Sequence, residues 1–228
     1  MAKYVLKFSK EGYFKYTSHL DLLRLFKRSF KRVGIKLDYS HGFNPHPKMG
    51  FAQPLSLGYS SISELLEFET SQDILVEEIK NKLDSIMPEG LKILGCVEYK
   101  EDGKTLAALT ESAEYVIGIP FGEELLKGKS CEEICHEFLS QEHIIVKKKQ
   151  KKSKELVDLD IKTKIIKLAF SKVNGKIIVS ASLDAGSESN LSPELLIDAI
   201  IRFLNIDVSR YDIDVMRVNI IFSNKFTI

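Results

Sequence analysis

The chain has 228 residues, enough for one large domain or two of ordinary size. Its 44 % hydrophobic and 29 % charged residues, with a formal net charge of +1, exclude a disordered chain or a uniform polyelectrolyte. No apolar run approaches the roughly 20 residues of a bilayer span, three cysteines make no disulfide framework, and no secretory signal core opens the chain, so a cytoplasmic protein without membrane contact is expected.

Tyr4 to Phe8 alternates and reads as a strand. Ser18, with Asp21 three residues on, caps a helix from His19 to Val33 whose apolar face is Leu20, Leu23, Phe26, Phe30 and Val33. Gly34 ends it. Ile35 to Ser40 and Phe51 to Tyr59 read as strands on either side of a Pro/Gly/His loop. Leu65 to Thr70 is a further strand, Asp73 caps a helix from Ile74 to Met87, and Leu91 to Tyr99 closes the set. Strand, helix, strand, strand, helix, strand is the split βαβ order.

Residues 100–112 are polar and read as a linker. The order then repeats: a strand over Tyr115 to Pro120, a helix capped by Ser130 to Leu139, and a strand over Ile144 to Lys149. A hairpin of Thr163 to Lys172 with Lys176 to Leu183 turns at Asn174-Gly175. Ser192-Pro193-Glu194 starts a helix to Leu204, and Asp212 to Phe222 is the last strand. The expectation is an α+β chain of two tandem ferredoxin-like (βαββαβ) domains with antiparallel sheets, residues 1–100 and 113–228.

Charge is distributed unevenly along this order. Residues 1–50 carry a net +8, 51–146 a net −12, 147–176 a net +8 and 177–228 a net −3. Two basic blocks in an otherwise acidic chain are the field that steers a polyanion.

Three segments concentrate the candidate side chains. On the first helix, Arg24, Lys27, Arg28, Lys31 and Arg32 fall at three- and four-residue steps with no acidic residue among them, a stripe suited to a phosphate backbone or to a plain solvated face. In Ser40-His41-Gly42-Phe43-Asn44-Pro45-His46-Pro47-Lys48, prolines stiffen a loop on which His41, Asn44, His46 and Lys48 offer polar groups and Phe43 a stacking ring. In Lys147-Lys148-Lys149-Gln150-Lys151-Lys152-Ser153-Lys154, six lysines make a strong electrostatic signal, with Lys148, Lys151 and Lys152 taken as the contacts and Asp158 and Asp160 placed to fold back on them. No third ligand completes a metal site with the histidines, and no cofactor fingerprint appears. Cys131 and Cys135 are spaced like the first two cysteines of a radical-SAM cluster, but Phe138 stands where the third would be, so they read as core thiols.

Two of these segments carry a resemblance. At Phe14-Lys15-Tyr16-Thr17-Ser18-His19-Leu20-Asp21 and Tyr39 to Lys48, and less extensively at Val157-Asp158-Leu159-Asp160 and Ser192-Pro193-Glu194, the chain resembles the radical-SAM-linked family of unknown function. That resemblance implies a separate radical-SAM protein as partner and RNA as the setting. It also implies a departure, since family members commonly have arginine at the position of Asp160. More distantly, the domain order resembles the CRISPR-RNA processing endonucleases. Three readings follow: a non-catalytic RNA-binding or substrate-presenting module, a metal-independent RNA endonuclease using His19, His41 or His46, and a protein–protein adaptor without nucleic acid.

Overall fold

The computed structural model describes residues 2–100, 103–121, 128–150, 154–224 and 226–228. It is an α+β architecture whose paired strands are mostly antiparallel. Two compact units divide it, Met1–Glu111 with Arg217–Ile228, and Ser112–Met216. The closing segment of the chain thus belongs to the first unit. Among the described residues, no helix is long and apolar enough to cross a membrane.

In the first unit, β1 (Ala2–Lys10), β2 (Met49–Phe51), β3 (Ser60–Thr70), β4 (Leu91–Glu98) and the end of β10 (Asp214–Phe222) form a sheet in the order β4-β1-β3-β10, with β2 also on β3. Helices α1 (His19–Arg32) and α2 (Val76–Asp84) follow β1 and β3. The stripe of α1 that meets the sheet is Leu22, Phe26, Ser29 and Phe30, while Leu20 of the expected face is exposed. Phe26 sets its ring edge-on to Phe8 at 4.9 Å and Phe30 lies 4.6 Å from Phe68. The opposite face of the sheet is closed by α3 (Leu106–Leu109) and the C-terminal segment, which bury Val5, Leu65, Ile220 and Phe222 with Leu106 and Leu109.

The limits of α1 follow local chemistry. Ser18 Oγ accepts the Asp21 N–H at 3.2 Å. At the other end the Ile35 N–H donates to Phe30 O and the Gly34 N–H to Lys31 O, with Gly34 at φ +77°, the two-bond closure that favours glycine.

Several expected elements differ. Ile35 to Ser40 is not a strand. It holds to its neighbours through bridges at Leu37 with Thr70 and Tyr39 with Pro47, through the Asp38 N–H to Glu69 O at 2.8 Å and the Ser71 N–H to Lys36 O at 3.2 Å, and through the Asp38–Lys48 ion pair. The second strand is Met49–Phe51 and stops there, because Pro54 has no N–H to continue a ladder. Asp73 does not cap α2. Instead the Tyr4 hydroxyl, reaching from β1, accepts the Ile74 N–H at 2.8 Å and donates to Ile74 O at 3.0 Å. The segment read as a linker contains α3, capped by Thr105; its Glu101 and Asp102 lie outside the described residues.

In the second unit, β5 (Thr110–Pro120), β8 (Ile165–Val173) and β9 (Lys176–Asp184) pair in the order β5-β9-β8. Helix α4 (Cys131–Ser140) packs on β8, and Phe138 meets Phe170 and Phe203 of α5 (Pro193–Leu204). Ser130 forms a full capping box with Glu133. Asn174 and Gly175 both take positive φ, as a two-residue hairpin of this twist requires. A separate ribbon pairs β6 (Ile145–Lys149) with β7 (Leu156–Asp160), a strand the sequence reading missed.

Candidate nucleic-acid interface

Helix α1 turns its apolar stripe to the sheet, so its five cations face outward, and all five are exposed. They do not form one stripe. Arg24, Arg28 and Arg32, each four residues apart, line a cleft of about 630 Å³ walled by Phe14, Thr17 and Pro88. Lys27 and Lys31 line a second cleft, of about 590 Å³, with Lys36 and Tyr39. Arg24 is tied to Asp21 at 2.9 Å. The Ser18 hydroxyl and then Arg24 hold the Asp21 carboxyl below the usual carboxylate range. Among the described residues, Lys27, Arg28, Lys31 and Arg32 have no acidic partner.

The loop after Tyr39 is closed at its base. The Ser40 N–H donates to His46 O at 2.8 Å and the His46 N–H to Ser40 Oγ at 3.0 Å. His41, Phe43, Asn44 and His46 are all exposed, and Phe43 is fully in solvent. Lys48 plays a different part from theirs. Its ammonium pairs with Asp38 at 2.8 Å and Glu69 at 3.0 Å, which raises its own pKa and lowers that of Asp38. Lys48 pins the loop to β3 and has little charge to offer a phosphate. Tyr39 both walls the lysine cleft and bridges to Pro47, so the loop base and the lysine row share a border.

The lysine-rich segment belongs to the second unit. Lys147 pairs across the ribbon with Asp158 at 2.6 Å, while Lys148 and Lys149 are exposed; Lys151 and Lys152 lie outside the described residues. Asp160 is occupied with structure. It accepts the Lys162 N–H at 3.0 Å and the Ile144 N–H at 3.1 Å, and meets His143 Nδ1 at 2.7 Å. Those bonds hold its pKa at about 2, below the ordinary 3.8. A lowered folded value means that this stabilisation is complete above 3.8 and is lost as pH falls through about 2. Asp160→Ala is therefore expected to lower the melting temperature at neutral pH and to flatten its fall between pH 3.8 and about 2. Thermal melts across that range check it, and a wild-type profile in the variant refutes it.

Sequence reasoning missed the charged group in the interior of the first unit. Arg217 is 1 % exposed and Glu64 3 %. Arg217 Nε and Nη2 donate to the Glu64 carboxylate at 2.8 and 2.6 Å, Nη2 also to Gln53 O at 2.9 Å and Nη1 to Pro54 O at 3.3 Å. Lys10, equally buried, donates to Thr17 O at 2.9 Å. A register shift where Lys10 meets Ser61 brings it beside them. Burial lowers the Lys10 pKa, opposed by Glu64 and helped by Arg217. His19 stands next to this group, its ring 5.2 Å from Phe51. Burial lowers its pKa too, opposed by Glu64 and helped by Lys10. The one available signal was phase: Glu64 alternates with Leu66 and Phe68, which face the core.

Of the three histidines, His41 and His46 share the exposed loop, whereas His19 sits in the first turn of α1 beside Lys10 and Glu64. Cys135 is buried and its thiol meets Leu168 O at 3.6 Å; Cys131 is half-buried on the same helix. Among the described residues, no group of three or more His, Cys, Asp or Glu is placed to hold a metal ion.

A family model described as an uncharacterized protein conserved in bacteria, DUF2344, matches residues 3–193. No curated protein matches the chain in sequence. Among solved structures, a chain of a Cbf5-Nop10-Gar1 complex superposes with a TM-score of 0.50 at 11 % identity, over 95 % of this chain and 48 % of that one. This chain thus spans about half the length of that relative, and the likeness is one of fold alone. An unknown protein from Galdieria sulphuraria is similar over 96 % of this chain and 99 % of its own, at 13 % identity and a TM-score of 0.27, too low to argue from.

Proposed function

We propose that this chain, which belongs to the DUF2344 family of uncharacterized proteins conserved in bacteria, is a cytoplasmic RNA-binding module that presents its strand to a separate modifying enzyme. The observation that carries this reading is the set Lys27, Arg28, Lys31 and Arg32, four exposed cations without a described acidic partner, lining two clefts on the two sides of one helix. Solvated helix faces usually mix signs to gain pairs at four-residue spacing. An unneutralised set favours a partner that brings many negative charges. The exposed Phe43, His41 and Asn44 beside the lysine cleft add a ring and polar edges suited to an unpaired base.

The resemblance at residues 14–21 and 39–48 supports taking that enzyme to be a radical-SAM protein. The strand order β4-β1-β3, with α1 and α2 following β1 and β3, supports reading the first unit as ferredoxin-like, and the second as its tandem partner.

The test is salt. With about four phosphate contacts on a single strand, the binding constant is expected to fall with a log–log slope near −3, about fiftyfold between roughly 50 and 200 mM salt. Absence of RNA binding at low salt would leave the adaptor reading. The place of His19, in the first turn of α1 beside Lys10 and Glu64 with its pKa lowered by burial, favours one second reading, since a general base must be unprotonated. Cleavage of the same RNA in chelator to 2′,3′-cyclic phosphate ends would replace the binding module by a nuclease.

A further inference from the structure

The arginine cleft has a neighbour that the RNA reading does not use. Phe14 and Thr17 close its wall, and both belong to or adjoin the 3₁₀ turn Gly12–Tyr16 between β1 and α1. This turn is held from three sides. The Glu11 N–H donates to Gly90 O at 2.7 Å, the Gly58 N–H to Lys15 O at 3.0 Å, and buried Lys10 donates to Thr17 O. Gly90 lies so close that a Cβ there would stand 2.6 Å from Glu11 O and 2.9 Å from the Phe14 Cβ, so the turn is seated against bare backbone.

On this fixed turn two aromatic rings face water, Tyr13 at 92 % exposure and Tyr16 at 61 %. Residues three apart in a 3₁₀ turn lie one above the other. Tyr13 and Tyr16 therefore share one side of the turn, as Phe14 and Thr17 share the side that walls the cleft. The Lys15 ammonium lies 5.4 Å from the Tyr16 ring centroid. The result is a ledge of two rings with a cation, on the same turn whose Phe14 and Thr17 wall the arginine cleft.

The spacing of the arginines narrows the ligand. Four residues of helix rise about 6 Å, so Arg28 and Arg32 meet a polyanion at a short step, as two successive phosphates of one strand would. A duplex would offer phosphates to the arginines but keep its bases stacked inside, leaving the tyrosines nothing to cover. An acidic peptide would match the charge and likewise leave the rings bare.

We propose that the arginine cleft takes single-stranded RNA, with phosphates on Arg28 and Arg32, since Arg24 is paired with Asp21 on the same lining, and unpaired bases stacked on Tyr13 and Tyr16. This rests on the RNA reading above and names the form of RNA and the residues that select it. Because stacking needs the ring and not the hydroxyl, phenylalanine replaces either tyrosine without loss, while alanine does not.

The experiment uses the full chain, a labelled single-stranded RNA of about 12 nucleotides and mixed sequence, and the blunt duplex of the same strand, read by anisotropy. The single strand is expected to bind at least about tenfold tighter than the duplex. Tyr13→Ala with Tyr16→Ala should weaken the single strand by about tenfold or more, leave the salt slope and the duplex affinity unchanged, and be reversed by Tyr13→Phe with Tyr16→Phe. Duplex affinity equal to or above that of the single strand, an unchanged affinity in the alanine pair, or displacement of the strand by polyglutamate at matched charge would each overturn the proposal while RNA binding itself stood. If the wild-type chain retained neither RNA at low salt, both would fall together.

Discussion

Arg217→Met is expected to remove about 3–5 kcal/mol from the stability of the first unit. The reason lies less in the ion pair lost than in the charge left behind. Glu64 is buried, and after the substitution its two oxygens would lose both short guanidinium bonds. Gln53 O and Pro54 O would lose donors as well. Glu64→Leu alone should be at least as damaging, since Arg217 and Lys10, both fully buried cations, would lose their common counter-charge. The double change Arg217→Met with Glu64→Leu removes the charge and its partner together, and should recover most of the loss, because well-packed apolar groups can replace a buried pair at little cost. Urea unfolding of the two single variants and the double one closes the cycle. A loss under about 0.5 kcal/mol for Arg217→Met, or a double variant no more stable than the singles, would show that the pair is solvated and of little weight.

That pair also explains a difference between the sequence reading and the structure. The residues it joins are 153 apart along the chain, and no window of local pattern reaches so far. Arg217 lies in the strand expected over Asp212 to Phe222, and no local pattern marks it as a buried cation. Its bond to Glu64 lies within the first unit, with the rest of Arg217–Ile228. By contrast, several features decided within four or five residues were legible, although the Thr105 cap of α3 was not. Ser18 and Ser130 as caps, Gly34 as a helix end, Asn174-Gly175 as a hairpin turn and Ser192-Pro193 as a helix start all rest on bonds that the residue types themselves specify. The failures at Ile35 to Ser40 and Phe51 to Tyr59 arose where β-rich composition met a constraint from outside. Pro54 ended one ladder, and the other segment is held by isolated bridges, by the Asp38 N–H to Glu69 O and by the Lys48 bonds to Asp38 and Glu69. For the candidate interface, the sum of charge was readable and its partition was not. Whether a cation on α1 belongs to the arginine or the lysine cleft depends on Pro88 and Tyr39, which wall those clefts from elsewhere in the unit. Tyr13 and Tyr16 were not singled out as stacking rings, because nothing local marks the 3₁₀ turn Gly12–Tyr16 that leaves them exposed.

Arg28→Glu together with Arg32→Glu is expected to weaken RNA binding by a hundredfold or more, the largest effect on function. Two favourable phosphate contacts become two repulsive ones in a cleft of three arginines, and the salt slope should shrink by about 1.4, the share of two contacts on a single strand. These two positions make a cleaner test than Arg24. Arg24 is paired with Asp21 in the first turn of α1, so Arg24→Glu would set two carboxylates three residues apart and confound lost binding with a weakened helix. Arg28 and Arg32 have no described acidic partner to lose. The cost in stability should stay below about 1 kcal/mol, most of it from placing an acid at Arg32, where the helix end favours a cation. Anisotropy titrations at two salt concentrations, with a thermal melt of each protein, separate the two quantities. If the double variant keeps its fold and still binds within about threefold of the wild type, the basic face of α1 is only a solvated surface, and the RNA must be sought on the lysine-bearing ribbon of the second unit.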